Sequence, residues 1–232
     1  MGRFPQLKDA RGSLKWTQVL VNECPELINR PLREACMLSS DVPISWLSPI
    51  HSDDFAEYRD QPFLQLLGVH LDKRPLETFW PNRGPQWDAL GRSHSGELFL
   101  VESKAHISEI LSPGTSASAK SKILIERSLK ELQSFLRVSP AVNWSAVLYQ
   151  YTNRLAHLYL LRELNHLRAF LIFLYFVGDR EMEGPWTARE WESAIQVVRG
   201  VLGLKDRNRL SKYVLDVFID VANIKKAVAK VG

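Results

Sequence analysis

Two short apolar runs lie between residues 84 and 106, which read GPQWDALGRSHSGELFLVESKAH, and three of the charged residues there fall within or at the end of these runs. Asp88 lies in the first apolar run, and Glu102 and Lys104 lie at the end of the second. The two runs flank a Ser/His/Gly turn, and this pattern predicts a β-hairpin. A purely structural strand would not need these charges, so the three residues are the first candidates for chemistry.

Folding the hairpin about residues 93–96 brings these charges together. Side chains alternate along a strand, so Glu102 and Lys104 share one face. Asp88 then comes opposite residue 101 or 102, where cross-strand Cβ atoms are about 5 Å apart. Two neighbouring carboxylates in a half-buried site repel each other, so a proton, the lysine or a divalent metal must neutralise them.

A divalent metal is the neutralising group that would also supply chemistry. Carboxylate oxygens are hard ligands, which suit Mg²⁺ or Mn²⁺. Such an ion lowers the pKa of a bound water and stabilises charge that develops on a phosphate. The simpler alternative is a strand-end salt bridge between Glu102 and Lys104, with Asp88 in a turn, and such pairs contribute little to stability. The convergence of three charges favours the active site.

The pattern of Asp88 followed by ESK at residues 102–104 resembles the motif of the PD-(D/E)XK nuclease superfamily. The core of that superfamily is a helix, a three-stranded meander, a helix and a further strand, which resembles the order expected over residues 52–177. The proline of the motif is displaced, because Trp87 precedes the aspartate and Pro85 lies earlier. The resemblance covers somewhat over half of the chain.

The resemblance implies a role for each residue of the motif. Lys104 would orient or activate the attacking water, beside Mg²⁺ (or Mn²⁺) as the cofactor. Many members add an acid from the preceding helix, for which Glu57 is the first candidate and Asp60 the second. A solvated helix residue is an equally good interpretation of Glu57. The implied metal ligands are Asp88, Glu102 and the backbone carbonyl of Ser103.

The implied function is hydrolysis of phosphodiester bonds, with DNA as the expected substrate, by a magnesium-dependent endo- or exodeoxyribonuclease. The alternative is a non-cleaving module that uses the same fold to bind nucleic acid or a protein. A homodimer is left open, since many such nucleases cut two strands as dimers. The sequence has no Gly-rich phosphate loop, GxSxG motif or HExxH motif that would point to another chemistry.

Polar residues on two predicted helices are further candidates for contact with nucleic acid or with the surroundings of the active site. In residues 120–136, Lys122 and Arg127 lie outside the apolar side of an amphipathic pattern. In residues 149–159, polar residues recur at spacings of three and four and form one stripe. A solvated helix face and a hydrogen-bonded packing face are the alternative interpretations. The polar residues of the stripe are Gln150, Asn153, Arg154 and His157.

The composition is typical of a soluble globular protein. Of 232 residues, 45% are hydrophobic and 24% are charged, and the net charge of +4 is compatible with a nucleic-acid partner. The longest apolar run, residues 169–177, is shorter than the roughly 20 residues of a membrane helix. The N-terminus has no signal-peptide core, and the two cysteines suggest no disulfide framework or zinc site. We therefore expect a cytoplasmic protein without a membrane partner.

The remaining patterns predict an α/β fold with a restriction-endonuclease-like core, in which helices flank a central mixed β-sheet in the order α-β-β-β-α-α-β-α-β. We expect one domain over residues 1–232, with residues 1–50 as a helical N-terminal extension. Residues 41–51 and 111–121 are expected to be loops. The other predicted elements are a helix over 52–68 interrupted at Pro62, a strand over 75–80, a buried strand over 168–178, a helix capped by Thr187 with Glu190, and a strand over 212–221.

Overall fold

The computed structural model describes residues 2–8 and 10–230, which form seven strands and eight α-helices. The strands are β1 (Arg3–Phe4), β2 (Ile44–Ser48), β3 (Glu57–Tyr58), β4 (Ala89–Ser93), β5 (Leu98–Lys104), β6 (Ala169–Val177) and β7 (Val214–Asp220). The helices are α1 (Gly12–Glu23), α2 (Glu26–Ala35), α3 (Asp60–Leu67), α4 (Leu76–Phe79), α5 (Ala119–Leu136), α6 (Tyr149–Tyr159), α7 (Ala188–Val201) and α8 (Val221–Val228).

The central sheet has five strands in the order β2-β4-β5-β6-β7. The pairs β2–β4 and β4–β5 are antiparallel, whereas β5–β6 and β6–β7 are parallel. The predicted mixed sheet flanked by helices is therefore confirmed. The nine residues of β6 are all buried, as the uniformly apolar pattern of this segment predicts for a strand covered on both faces.

Alternation along β5 divides the core into two layers. Leu98 and Leu100 pack with α3, α4, α5, α6 and α7 on one face. Phe99 and Val101 pack with α1, α2 and α8 on the other face. Because helices cover both faces of the sheet, the charged side chains at the end of β5 lie beneath a packed helical layer.

The predicted hairpin is confirmed by the pairing of β4 with β5. The register pairs Ala89 with Val101, so Asp88 lies opposite Glu102. The turn is closed by the Gly96 N–H, which donates to the carbonyl of Ser93.

The helix predicted over residues 52–68 is wrong in its first half. Asp54 and Phe55 have φ values of 52° and 50°, so the chain leaves the helical region there and forms the short strand β3. Helix α3 begins only at Asp60, and Pro62 lies in its first turn, where the missing N–H of proline costs nothing. Pro62 therefore marks a helix start.

Two further predictions differ from the structure. Residues 75–80, predicted as a strand, contain the short helix α4, in which Leu76 and Phe79 are buried one turn apart. The predicted loop over residues 41–51 contains the edge strand β2. Its prolines, Pro43 and Pro49, flank the strand, so neither removes a donor from the ladder. Residues 44–48 thus belong to the central sheet.

The remaining predicted elements agree with the structure. Thr187 caps α7 and accepts a hydrogen bond from the backbone N–H of Glu190 at 3.3 Å. Strand β7 lies within the predicted segment 212–221. Across the described ranges, no helix combines the length and apolar content required to cross a bilayer.

Candidate active site at the end of the central hairpin

Asp88 is held directly against the end of β5. Its Oδ2 accepts hydrogen bonds from the backbone N–H of Ser103 at 2.6 Å and from the Ser103 hydroxyl at 2.9 Å. The backbone N–H of Asp88 donates to the carbonyl of Val101. These contacts fix the carboxyl group of Asp88 beside Glu102, as the hairpin register predicts.

Glu57 reaches the same place from a different part of the chain. The backbone N–H of Trp87 donates to the carbonyl of Tyr58 at 3.0 Å, which sets β3 beside the start of the hairpin. Glu57 Oε2 accepts hydrogen bonds from Gln86 Nε2 at 2.6 Å and from Gln6 Nε2 at 3.1 Å. The candidate acid is therefore buried next to Asp88, but it comes from a strand and not from the predicted helix.

Glu102 is 2% exposed and lies between two basic side chains. Lys104 Nζ donates to its Oε1, and Arg154 Nε donates to its Oε2 at 2.7 Å. Arg154 is itself buried, and it also donates to the carbonyl of Gln86 and to Asn153 Oδ1, each at 2.8 Å. Arg154 thus joins helix α6 to β5 and to the segment that precedes Asp88.

Sequence reasoning placed Arg154 in the polar stripe of residues 149–159, for which help with the substrate or with the surroundings of the active site was one interpretation, but it gave Arg154 no partner. Burial of a guanidinium requires an acid, and Glu102 was the acid predicted at a buried strand end. The pairing of these two residues could have been proposed from that argument, although not its geometry.

The contacts of Glu102 with Arg154 and Lys104 explain why Glu102 and Lys104 are both ionised. Burial alone would raise the pKa of Glu102, but the charges of Arg154 and Lys104 outweigh it and lower that pKa. Burial alone would lower the pKa of Lys104, but the charges of Glu102 and Asp88 outweigh it and raise that pKa. Both side chains are therefore charged at neutral pH.

The pKa values of Asp88 and Glu57 are raised, whereas that of Glu102 is lowered. Burial raises the pKa of Asp88 to about 8, and the charges of Glu102 and Glu57 add to the effect. Burial also raises the pKa of Glu57, against the hydrogen bond from Gln86. Three carboxyl groups face two basic groups here, so full ionisation would leave one excess negative charge.

The donor set suits a hard divalent cation. Carboxylate oxygens of Asp88 and Glu102 and the carbonyl of Ser103 are oxygen ligands of the kind that Mg²⁺ and Mn²⁺ prefer. The excess negative charge gives such a cation a role in this cluster. Within residues 2–8 and 10–230, however, no group of three or more His, Cys, Asp or Glu side chains is already arranged around a metal position. Glu102 would have to share its oxygens with Lys104 or Arg154.

The other predicted residues fall into two groups. Gln150 touches the cluster, since its Oε1 accepts a hydrogen bond from Lys104 at 3.2 Å, and Asn153 lies buried behind Arg154. Three residues contact other parts of the chain. Asp60 accepts the backbone N–H groups of residues 83 and 84, Lys122 pairs with Glu126, and Arg127 donates to the carbonyl of Thr78.

Comparisons with known proteins do not add to this geometry. Comparisons with protein-family models, with curated proteins and with solved structures gave no significant match. The chemistry of the cluster therefore has to be argued from the side chains of Asp88, Glu102, Lys104, Glu57 and Arg154.

Proposed function

We propose that this protein is a metal-dependent nuclease that hydrolyses phosphodiester bonds, with DNA as the first substrate to test. The observation that carries the proposal is the convergence of Glu57, Asp88 and Glu102 at one end of a buried hairpin, with Lys104 beside them. A cluster of like charges in a buried place lowers stability, and such clusters are concentrated at functional sites. The motif resemblance points to the same residues.

In this proposal each side chain has a defined task. Asp88, Glu102 and the carbonyl of Ser103 would hold the divalent cation, which polarises the scissile phosphate and activates a water for in-line attack. Lys104 keeps its proton beside Glu102 and stabilises the negative charge that develops on the phosphate. Arg154 orients Glu102, and Glu57 adds negative charge near Asp88.

A restriction-endonuclease-like core is part of the same proposal. The antiparallel order β2-β4-β5, followed by α5, α6 and the parallel strand β6, supports it. The spatial order resembles the three antiparallel strands, helix and further strand of the superfamily, with β3, α3 and α4 inserted between β2 and β4 along the chain. The position of Asp88 and Glu102 at the carboxyl end of the parallel pair β5–β6 is where open α/β sheets commonly bind ligands.

Cleavage by Lys104→Ala tests the proposal directly. Wild type and Lys104→Ala are incubated with Mg²⁺ or Mn²⁺ on supercoiled plasmid, linear duplex, single-stranded DNA and RNA. We expect wild type to cut at least one of these, and the variant to cut at least about a hundredfold more slowly. Lys130→Ala, which removes an exposed lysine of α5, is the matched control. Equal cutting by wild type and Lys104→Ala would overturn the mechanism.

A non-cleaving binding module is the second candidate, and one observation favours it. Both oxygens of Glu102 are bound by basic side chains, so the cluster is partly neutralised by its own residues. Titration of Mn²⁺ into wild type and Glu102→Ala, followed by calorimetry, separates the two functions. Binding that is lost in Glu102→Ala supports the nuclease. No Mn²⁺ binding by wild type, together with unchanged nucleic-acid affinity in Asp88→Asn, supports the binding module.

A further inference from the structure

A groove opens beside Lys104, on the side where Gln150 lies. Gln150 Oε1 accepts a hydrogen bond from Lys104 Nζ, and the same side chain lines the groove, whose volume is about 420 Å³. The walls are residues 81–83, residues 112–118 and the first turns of α5 and α6. One side chain therefore separates the groove from the candidate active site.

The lining of the groove differs in charge from the neighbouring cluster. Of the residues that line it, all within the described part of the chain, none is Asp or Glu, and the single charged one is the exposed Arg83. Phosphate oxygens of nucleic acids are bound largely by Arg and by hydroxyl and amide side chains of this kind. The lining residues that carry hydroxyl groups are Ser112, Thr115, Ser116, Ser118, Ser121 and Tyr149.

Several of these groups retain a proton to donate. Ser112 Oγ accepts the backbone N–H of Gln150 at 2.9 Å, and Thr115 Oγ1 accepts the backbone N–H of Ala117 at 3.2 Å. A hydroxyl that accepts through a lone pair still has its own O–H. The side chain of Gln150 accepts from Lys104 through its oxygen, and its amide group supplies two N–H donors. The groove thus presents donors to a ligand whose oxygens accept.

The loop over residues 112–118 is anchored to the rest of the protein. The backbone N–H of Thr115 donates to the carbonyl of Ser145 at 2.9 Å. A Cβ at Gly114 would come within 2.9 Å of the backbone of Ala146, so a glycine is needed for this close approach. A wall that is already in place loses little conformational entropy when a ligand binds.

We propose that this groove binds the phosphate backbone of a nucleic-acid strand that runs to Lys104. The inference rests on the proposed nuclease function for its place in a reaction, but binding in the groove does not require cleavage. Hydroxyl, amide and guanidinium donors contact the backbone, so the binding is independent of base sequence and weakens as salt is added.

Charge reversal in the groove tests the inference. A fluorescein-labelled single-stranded oligodeoxynucleotide is titrated with protein in EDTA, where a metal-dependent nuclease cannot cut, and binding is followed by fluorescence anisotropy. We expect Ser116→Glu to weaken binding roughly tenfold, and we expect Arg83→Gln to reduce the slope of log Kd against log salt by about one. Ser116→Gln adds similar bulk without charge and replaces the hydroxyl by an amide donor, so it is expected to weaken binding much less than Ser116→Glu.

A second control places the same charge elsewhere. Ser193→Glu adds a carboxylate on the exposed face of α7, outside the groove, and is expected to bind like wild type. Equal affinity of Ser116→Glu and Ser193→Glu would overturn the inference. Competition by inorganic phosphate as effective as by unlabelled oligonucleotide, at equal phosphate concentration, would also overturn it, because it would indicate a site for a single anion.

The outcomes separate this inference from the proposed function. A wild type that binds through the groove but cuts no substrate with Mn²⁺ would retain the groove and remove the nuclease. A wild type that cuts, while Ser116→Glu binds and cuts equally well, would retain the nuclease and remove the groove.

Discussion

Two acids, the buried Glu102 and the half-buried Asp216, lie in the same row of the central sheet, with Phe173 in register between them. Each is paired with an arginine from a helix on that face, Arg154 for Glu102 and Arg199 for Asp216. Glu102 also has a lysine partner and two further acids nearby. The side chain of Asp216 is 17% exposed, and its Oδ1 is buried without a hydrogen-bond partner in the described part of the chain.

The difference between the two acids shows how the number of neighbouring charged groups sets the pKa of a carboxyl group. Burial raises the pKa of Asp216, and the single charge of Arg199 does not fully offset it. Two basic groups more than offset the burial of Glu102. Stability alone would be served by one base for each buried acid, whereas the first cluster also holds Asp88 and Glu57. The extra acids reduce stability, and this favours a functional origin for the first cluster and a structural one for the Asp216–Arg199 pair.

Removal of the two arginines should give the largest contrast. Arg154→Met leaves Glu102 buried beside Lys104 alone and is expected to lower the free energy of unfolding by about 3 to 5 kcal/mol. Arg199→Met removes a pair that is partly exposed and is expected to cost about 1 kcal/mol. Urea unfolding of both variants measures the two losses. Equal losses would show that the clusters do not differ in the way described.

Acid should destabilise the protein through His157, a buried residue of the helix α6 that also carries Arg154. Burial lowers the pKa of His157 to about 3 from an ordinary 6.5, so between these values the unfolded chain binds the proton that the folded protein excludes. Stability is therefore expected to fall as the pH drops from about 6.5 towards about 3, with a contribution of about 1.4 kcal/mol per pH unit at most.

His157→Phe removes this titration, and unfolding free energies measured at several pH values should depend less on pH than those of wild type. His94→Gln, which replaces an exposed histidine, provides the control and is expected to keep the wild-type slope. A slope unchanged in His157→Phe would mean that other groups account for acid sensitivity.

Neutralisation of one acid in each region should change stability by different amounts. The folded-state pKa of Asp88, about 8, lies above its ordinary 3.8, so the stability that this group contributes when protonated is lost as the pH rises through about 8. In metal-free buffer at pH 9, Asp88→Asn is therefore expected to raise the free energy of unfolding by about 1 kcal/mol or more. Burial also raises the pKa of Asp216, but the charge of Arg199 opposes this shift, so Asp216→Asn is expected to give a smaller gain. Thermal unfolding of both variants would contradict the comparison if Asp216→Asn were stabilised as much as Asp88→Asn or more.

The smallest expected effect concerns the helix that carries Arg199. Thr187→Ala removes the side chain that caps α7 and is expected to cost about 1 kcal/mol of stability. The cap stabilises α7, which carries Arg199 of the Asp216–Arg199 pair and no residue of the candidate active site. Cleavage and Mn²⁺ affinity should therefore not change. A loss of cleavage in Thr187→Ala, measured beside its melting temperature, would connect the second cluster to function after all.

Local patterns in the sequence predicted most of the elements that position the candidate site. Alternation of apolar residues identified the β4–β5 hairpin, uniform apolarity identified β6, and the capping box identified α7. The wrong predictions concern short segments whose composition favours one structure while their neighbouring residues favour another. Residues 75–80 have the composition of a strand but form a helical turn after Pro75, and β2 lies between two prolines that favour a loop.

By itself the sequence determined that Asp88, Glu102 and Lys104 meet, because a hairpin register depends only on a turn and on two alternating strands. Only the tertiary structure decided which groups complete the cluster. Arg154 lies 52 residues after Glu102, and Glu57 reaches the cluster through one bridge between β3 and the start of the hairpin. Contacts at this separation depend on how helices and strands pack, and no local periodicity encodes that packing.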